Sequence, residues 1–196
     1  MPRPPSDAKK RIIQTALALF ATRGYHSTGI TDILRESGVK RGTLYHYFAS
    51  KKELGLAAID EMVRLLAEQG AARHLRTDGH PIDRMVKMID ELPGVAKLPL
   101  GEALTPSVVV RLGTAEAEFS ERISTRFEGF LSELEAILRR GVAEGQIAES
   151  VDPRVLSRAF AVMIQGVFFM SVLGFQPTIW EDGERWLKGY LNSLRA

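Results

Sequence analysis

From Lys40 to Lys52 the chain reads Lys-Arg-Gly-Thr-Leu-Tyr-His-Tyr-Phe-Ala-Ser-Lys-Lys, a stretch without an acid. Its guanidinium, ammonium, hydroxyl, imidazole and phenol groups suit phosphate oxygens and base edges. Its rings suit sugars and thymine methyls. If residues 41–48 form a helix, Leu44 and Phe48 share one face at i, i+4. Gly42 and His46 then lie opposite, with Thr43, Tyr45 and Tyr47 on the flanks. Lys40 and Arg41 sit at the N-terminal end, where free N–H groups and the positive dipole end also favour phosphate. An ordinary solvated helix would carry Glu, Lys and Gln on that outer face. The plainer alternative is a small amphipathic hairpin whose cations are merely solvated.

Other chemistry finds little footing. The chain has no cysteine, which excludes disulfides, Cys-ligated zinc and thiol catalysis or sensing. It has no Gly-rich phosphate loop ending in Lys-Ser/Thr, no His-Glu-x-x-His, no Gly-x-Ser-x-Gly and no acidic calcium loop. His74 and His80 have no partner at ligand spacing and read as solvated. Glu116, Glu118 and Glu121 cluster where a helix begins, which its positive end explains. No catalytic residue, metal or cofactor is expected, and the chain does not read as an enzyme.

The basic stretch needs elements to position it. Just before it, Ile30, Ile33 and Leu34 fall at i, i+3, i+4, one face of a short helix. Ser37-Gly38 ends that helix, Gly38 taking the left-handed conformation of a C-terminal cap. Val39 pins the turn to the core. Helix, Gly-containing turn, helix is the helix-turn-helix pattern. A preceding helix, capped by Ser6 or Asp7, runs to Arg23 with Ile12, Ile13, Ala16, Leu17 and Phe20 as its apolar stripe. Gly24 ends it. Ser50 and Glu53 form a capping box that starts a fourth helix reaching about Gln69. That fourth helix begins beside the basic stretch and links it to the rest of the chain.

Gly38-Val39-x-Arg41-Gly42-Thr43-Leu44-Tyr45-His46-Tyr47-Phe48-x-Ser50-Lys51-x-x-Leu54 resembles the DNA-binding core of the tetracycline-repressor (TetR) family. The resemblance covers about residues 8 to 60. Lys40 departs from it, since the family often has Ser, Thr or Pro there. The recognition helix thus lacks a side-chain cap, a loss of about 1 kcal/mol, and gains a cation near the phosphates. The resemblance implies base or groove contacts at Thr31, Arg41, Gly42, Tyr45 and Tyr47. It implies phosphate contacts at Thr28, Thr43, His46 and Lys51, with Lys40 beside them. It also implies a three-helix head, here residues 1–50, and a helical effector-binding and dimerisation domain over 51–196, about nine helices in all and an all-α fold.

Charge is distributed accordingly. Residues 1–53 hold ten Lys/Arg against four acids, a net +6, and the remainder carries −4. A basic head on an acidic body is the footprint of a nucleic-acid reader. Residues 1–5 read as a frayed cationic arm in which Arg3 is able to reach a minor groove. Gly70 to Pro81 reads as a linker, Pro81–Leu92 as a helix and Pro93–Pro106 as irregular. A long helix spans about Glu116–Glu144, stopped by Gly145. Asp152-Pro153 opens a helix to Leu173. From Ala159 that helix is apolar nearly all round and must be covered on every side. At about fifteen residues this apolar stretch is too short for a membrane span, and the chain reads as soluble and cytoplasmic. The last helix, Thr178–Leu194, carries Trp186, Leu187, Tyr190 and Leu191.

The sequence thus implies a ligand-responsive transcriptional regulator, a repressor, bound as a homodimer to a palindromic double-stranded DNA operator. Phe169, Met170, Trp186 and Tyr190 are the expected dimer residues. Met62, Leu66, Met88, Phe119, Phe127, Met163 and Phe168 are the expected lining for an unidentified, mainly apolar small-molecule effector, each equally able to be plain core. The alternatives are a constitutive DNA-binding or architectural protein without a pocket, and a helical interaction protein that binds no DNA.

Overall fold

The computed structural model describes residues 5–68, 71–95, 100, 106–172 and 178–196. The Arg3 arm, Pro99, Gly101 and Leu173 fall outside them. Among the described residues the fold is all-α: nine α-helices, a 3₁₀ turn, and one isolated bridge between Ile147 and Arg195. The helices are α1 (Pro5–Arg23), α2 (Ile30–Ser37), α3 (Arg41–Tyr47), α4 (Lys51–Glu68), α5 (Pro81–Val95), α6 (Pro106–Gly113), α7 (Ala117–Ala143), α8 (Pro153–Val172) and α9 (Thr178–Ser193). None is long and apolar enough to cross a membrane.

Local chemistry sets most boundaries. Gly24 and Gly38, both at positive φ, end α1 and α2, and the Gly38 N–H closes on the Leu34 carbonyl at 3.0 Å. Asp32 accepts the Gly29 N–H at 2.9 Å and starts α2. Asp152 accepts the Arg154 and Val155 N–H groups at 2.8 and 3.1 Å and starts α8. The Val155 bond first, then the Arg154 bond, holds the Asp152 carboxyl below the usual carboxylate range. A depressed folded-state pKa gives stability that is present above the unfolded value and lost as pH falls through the folded one. Asp152→Ala is therefore expected to melt below wild type at neutral pH. The gap should close as pH drops below about 4; a gap independent of pH would remove the carboxylate from that role.

Three stretches differ from the sequence reading. The linker between α4 and α5 holds a 3₁₀ turn, Ala71–Arg76, tied down by an Arg84 Nε–H bond to the His74 carbonyl at 3.2 Å. α5 continues through Pro93 to Val95. A proline in the last turn forfeits only one backbone bond there, so the helix runs on. α6 was not anticipated, although Pro106 at its first position with Val108 and Leu112 buried at i, i+4 carries the signal.

The chain divides into two units, residues 1–66 with 96–125, and residues 67–95 with 126–196. Packing thus keeps α4, α6 and the first turns of α7 with α1–α3, where the sequence suggested a boundary after residue 50. In the first unit the α1 stripe of Ile12, Ala16, Leu17 and Phe20 is buried with Ile33, Leu44 and Phe48. α6 is tied to α1 by Arg111 Nη2, which donates to the Ala21 carbonyl at 2.6 Å. In the second unit Ile82, Met85, Met88 and Ile89 of α5 pack with Leu134 and Leu138 of α7, Leu156 and Phe160 of α8, and Leu187 and Leu191 of α9.

Both linker histidines are engaged rather than solvated. His74 Nε2 lies 2.9 Å from a Glu91 carboxylate oxygen. His80 Nδ1 accepts the Ile82 N–H at 3.1 Å, so its Nε2 carries the proton that meets the Gln146 carbonyl at 3.0 Å. Among the described residues no group of three His, Asp or Glu side chains gathers as a metal site.

Candidate nucleic-acid interface

α2 and α3 are joined by Gly38-Val39-Lys40, with Val39 buried against the head core. Lys40, extended at φ −69°, contributes no side-chain cap to α3. Its carbonyl receives the Thr43 and Leu44 N–H groups at 3.0 and 3.2 Å. Leu44 is fully buried, and Phe48, the residue after the helix, is 3% exposed. Lys9 of α1 places its ammonium 6.0 Å from the Phe48 ring. The inner face of α3 is thereby fixed, and its outer face follows.

That outer face is open. Thr31, Lys40, Arg41, Gly42, Tyr45 and His46 are exposed, and Thr43 and Tyr47 are half-buried. The His46 and Tyr47 rings meet edge to face at 5.0 Å. Tyr47 also leans on Phe48 at 6.4 Å. The arrangement offers a cation, two phenols, an imidazole and a hydroxyl on one short helix at the width a major groove admits.

Thr28 is placed differently from the expectation. Its side chain is fully buried. The hydroxyl donates to the Gly24 carbonyl at 2.8 Å, and the backbone N–H donates to the Tyr25 carbonyl at 3.3 Å. The left-handed turn at Gly24 leaves that carbonyl unpaired by the helix, and Thr28 fills the need. It is a clasp for the α1–α2 turn, with no group left to meet a phosphate.

Lys51 also has an internal partner. Its Nζ sits 4.3 Å from the centre of the Tyr25 ring. Burial pushes its pKa down, with the Glu116 carboxylate partly opposing. Tyr25 is pushed up by burial, then by Glu116 and Glu118. The capping box that starts α4 is present in a shifted form. Ser50 Oγ accepts the Glu53 N–H at 3.1 Å, but the Glu53 carboxylate returns to the Ala49 N–H, one residue before the cap, at 2.7 Å.

Sequence reasoning missed Gly55, on the buried side of α4. A Cβ there would stand 2.3 Å from Cζ of Phe119. Phe119 was expected to line an effector site. It is fully buried between Gly55 and Tyr25, its ring 4.8 Å from the tyrosine. Met62 is buried in the same unit and Leu66 partly so. Met88 and Met163 belong to the core of the other unit. Phe127 is 40% exposed beside Phe130, their rings 6.0 Å apart. Phe168 lies in α8, and its side chain is outside the described set. Of the expected dimer residues, Phe169, Trp186 and Tyr190 are exposed and Met170 is half-buried.

Residues 12–58 match the sequence model of the bacterial regulatory proteins of the tetR family. An HTH-type transcriptional regulator of Bacillus subtilis, YxaF, is 27% identical over 173 residues, 88% of either chain. The HTH-type transcriptional repressor KstR2 of Mycobacterium tuberculosis is 34% identical over 77 residues, 38% of this chain and 36% of its own. The crystal structure of a TetR transcriptional regulator from Chloroflexus aurantiacus superposes with a TM-score of 0.82 at 23% identity, covering 97% of each chain. The head built from α1 to α3, with the start of α4, thus carries the N-terminal region of the tetR family of bacterial regulatory proteins, and the chain as a whole shares the all-helical fold of a solved TetR regulator.

Proposed function

We propose that the protein is a repressor that binds a palindromic operator as a homodimer and is released from it by a small, mainly apolar effector. One observation carries the DNA-binding part. The outer face of α3 exposes Arg41, Gly42, Tyr45 and His46 while Leu44 and Phe48 fix its other face in the core. Arg41 reads a guanine edge, with Thr31, Gly42, Tyr45 and Tyr47 in or beside the groove. Lys40, Thr43, His46 and Lys51 meet phosphates. No cofactor or catalytic step enters this function, and the protein works in the cytoplasm.

Fluorescence anisotropy on the DNA upstream of its own gene, against scrambled DNA at two salt concentrations, tests this. Binding should be sequence-selective and weaken with salt. Arg41→Ala should cost about 1–3 kcal/mol and relax preference at one base position, whereas Lys51→Ala should weaken binding to all sequences alike. Equal behaviour of the two variants would refute this division of roles.

The homodimer is supported by apolar side chains left open in the second unit. Val155, Val162 and Phe169 of α8 and Trp186 and Tyr190 of α9 are all exposed. Two such helix pairs make a four-helix interface, and two heads then read half-sites about 34 Å apart or a multiple. The effector reading is supported by the methionines packed in the second unit, Met85, Met88 and Met163, which suit an adaptable lining. A ligand acts there only through different affinities for the DNA-bound and released shapes. A constitutive DNA-binding protein without a pocket is the second reading, and the full burial of Met62 and Phe119 favours it. Release of bound DNA by members of an apolar ligand set separates the two.

A further inference from the structure

The two lysines that open α4 are the first cations after α3, and each has an acid from the start of α7 as its neighbour. Lys52 Nζ pairs with Glu118 at 2.7 Å. Lys51 lies over Tyr25, within the field of Glu116. The backbone under the acids is held in place. Glu116 precedes α7, and its carbonyl receives the Phe119 and Ser120 N–H groups at 3.1 and 3.2 Å. Phe119 is seated against the bare Cα of Gly55. The Ala115 carbonyl lies 3.2 Å from His26 Nε2. Two anchors, one to α4 and one to the α1–α2 turn, thus fix the backbone that carries the acids beside the lysines.

We propose that the first turn of α7 is an internal competitor for the DNA phosphates: Glu118 holds the Lys52 ammonium in a contact that phosphate must break. This rests on the DNA-binding reading above. A lysine ammonium is a compact charge with rotatable donors, and a carboxylate and a phosphate oxygen offer it the same kind of acceptor. Whatever withdraws the acids therefore strengthens DNA binding, and whatever fixes them weakens it. The device sets the affinity of the head without touching a base contact.

The experiment is anisotropy on operator DNA with wild type, Glu118→Gln, Glu116→Gln and, as control, Glu121→Gln. Glutamine keeps the shape and a hydrogen-bond acceptor. Glu121 is exposed on the same turn, so its variant removes an equal charge. Glu118→Gln is expected to bind about two- to fivefold tighter at low salt, and the gain should shrink as salt screens the released lysine. Glu116→Gln should act in the same direction, and Glu121→Gln should stay within error of wild type. Unchanged or weaker binding by Glu118→Gln at unchanged melting temperature overturns the proposal. Equal tightening by Glu121→Gln also overturns it, since net charge alone would then explain the effect. A wild-type protein that fails to bind DNA in a salt-dependent way would instead sink the parent reading.

Discussion

Phe119→Ala is expected to lower the folding free energy by about 3–5 kcal/mol, among the largest effects of any single substitution in this chain. Phe119 is fully buried. Its ring meets Tyr25 edge to face at 4.8 Å, and Tyr25 in turn meets Phe20 at 5.2 Å. Removing the ring empties space among the elements of the first unit that already lack alternatives, because Gly55 offers no side chain to collapse into it. The converse substitution tests the same contact from the other side. In Gly55→Ala the new Cβ would stand 2.3, 3.0 and 3.1 Å from three atoms of the Phe119 ring. Overpacking of this kind costs about 1–3 kcal/mol. Phe119→Leu, being smaller, should recover part of the Gly55→Ala loss, giving a non-additive cycle. Denaturant unfolding of the four proteins measures it. Strict additivity would mean that the ring moves aside freely and that the contact is not a constraint.

The second large effect is on assembly. Trp186 and Tyr190 stack at 5.5 Å with their rings 5° from parallel, and they are 60% and 40% exposed. A monomeric helix gains little from presenting two stacked rings to water, and aromatic side chains dominate the centres of protein interfaces. Trp186→Glu is expected to weaken the proposed homodimer by at least about 2 kcal/mol, roughly 30-fold. Operator binding should fall further than that single-site loss, because the second head no longer binds as part of one linked body. Sedimentation gives the first quantity and anisotropy the second. An exposed position leaves the fold intact, which circular dichroism checks. If Trp186→Glu left the dimer and operator binding as they were, the interface would have to be sought on another face.

The head was legible because its rules are local. Apolar spacing of three and four, glycine at positive φ and a carboxylate on free N–H groups act within a few residues. They set α1 to α3, the Gly24 and Gly38 turns and the Asp152 cap in the chain itself. What escaped depends on neighbours distant in sequence. Thr28 has the type and position of a phosphate contact, and only the burial of its hydroxyl against the Gly24 turn removes it. Gly55 has no periodic signature, since its meaning lies in a ring 64 residues on. His80 looked solvated because its partner, the Gln146 carbonyl, is supplied by the turn after α7. Pro106 was read as the end of an irregular stretch rather than the first residue of α6, although the same residue type opens α8 at Pro153. The acids at the start of α7 were assigned to the helix dipole, and Lys52 gives Glu118 a partner that no local rule names.

The stacked ring on α9 has a practical meaning. The chain has two tryptophans, Trp180 and Trp186, and both belong to α9. Ultraviolet emission from this protein therefore comes from one helix, that of the expected interface, while the head contributes only weaker tyrosine light. Dilution through the assembly range should shift the emission as the indoles gain or lose water. No dye is needed to follow self-association, and the same cuvette holds a reporter that is spectrally separate from labelled DNA.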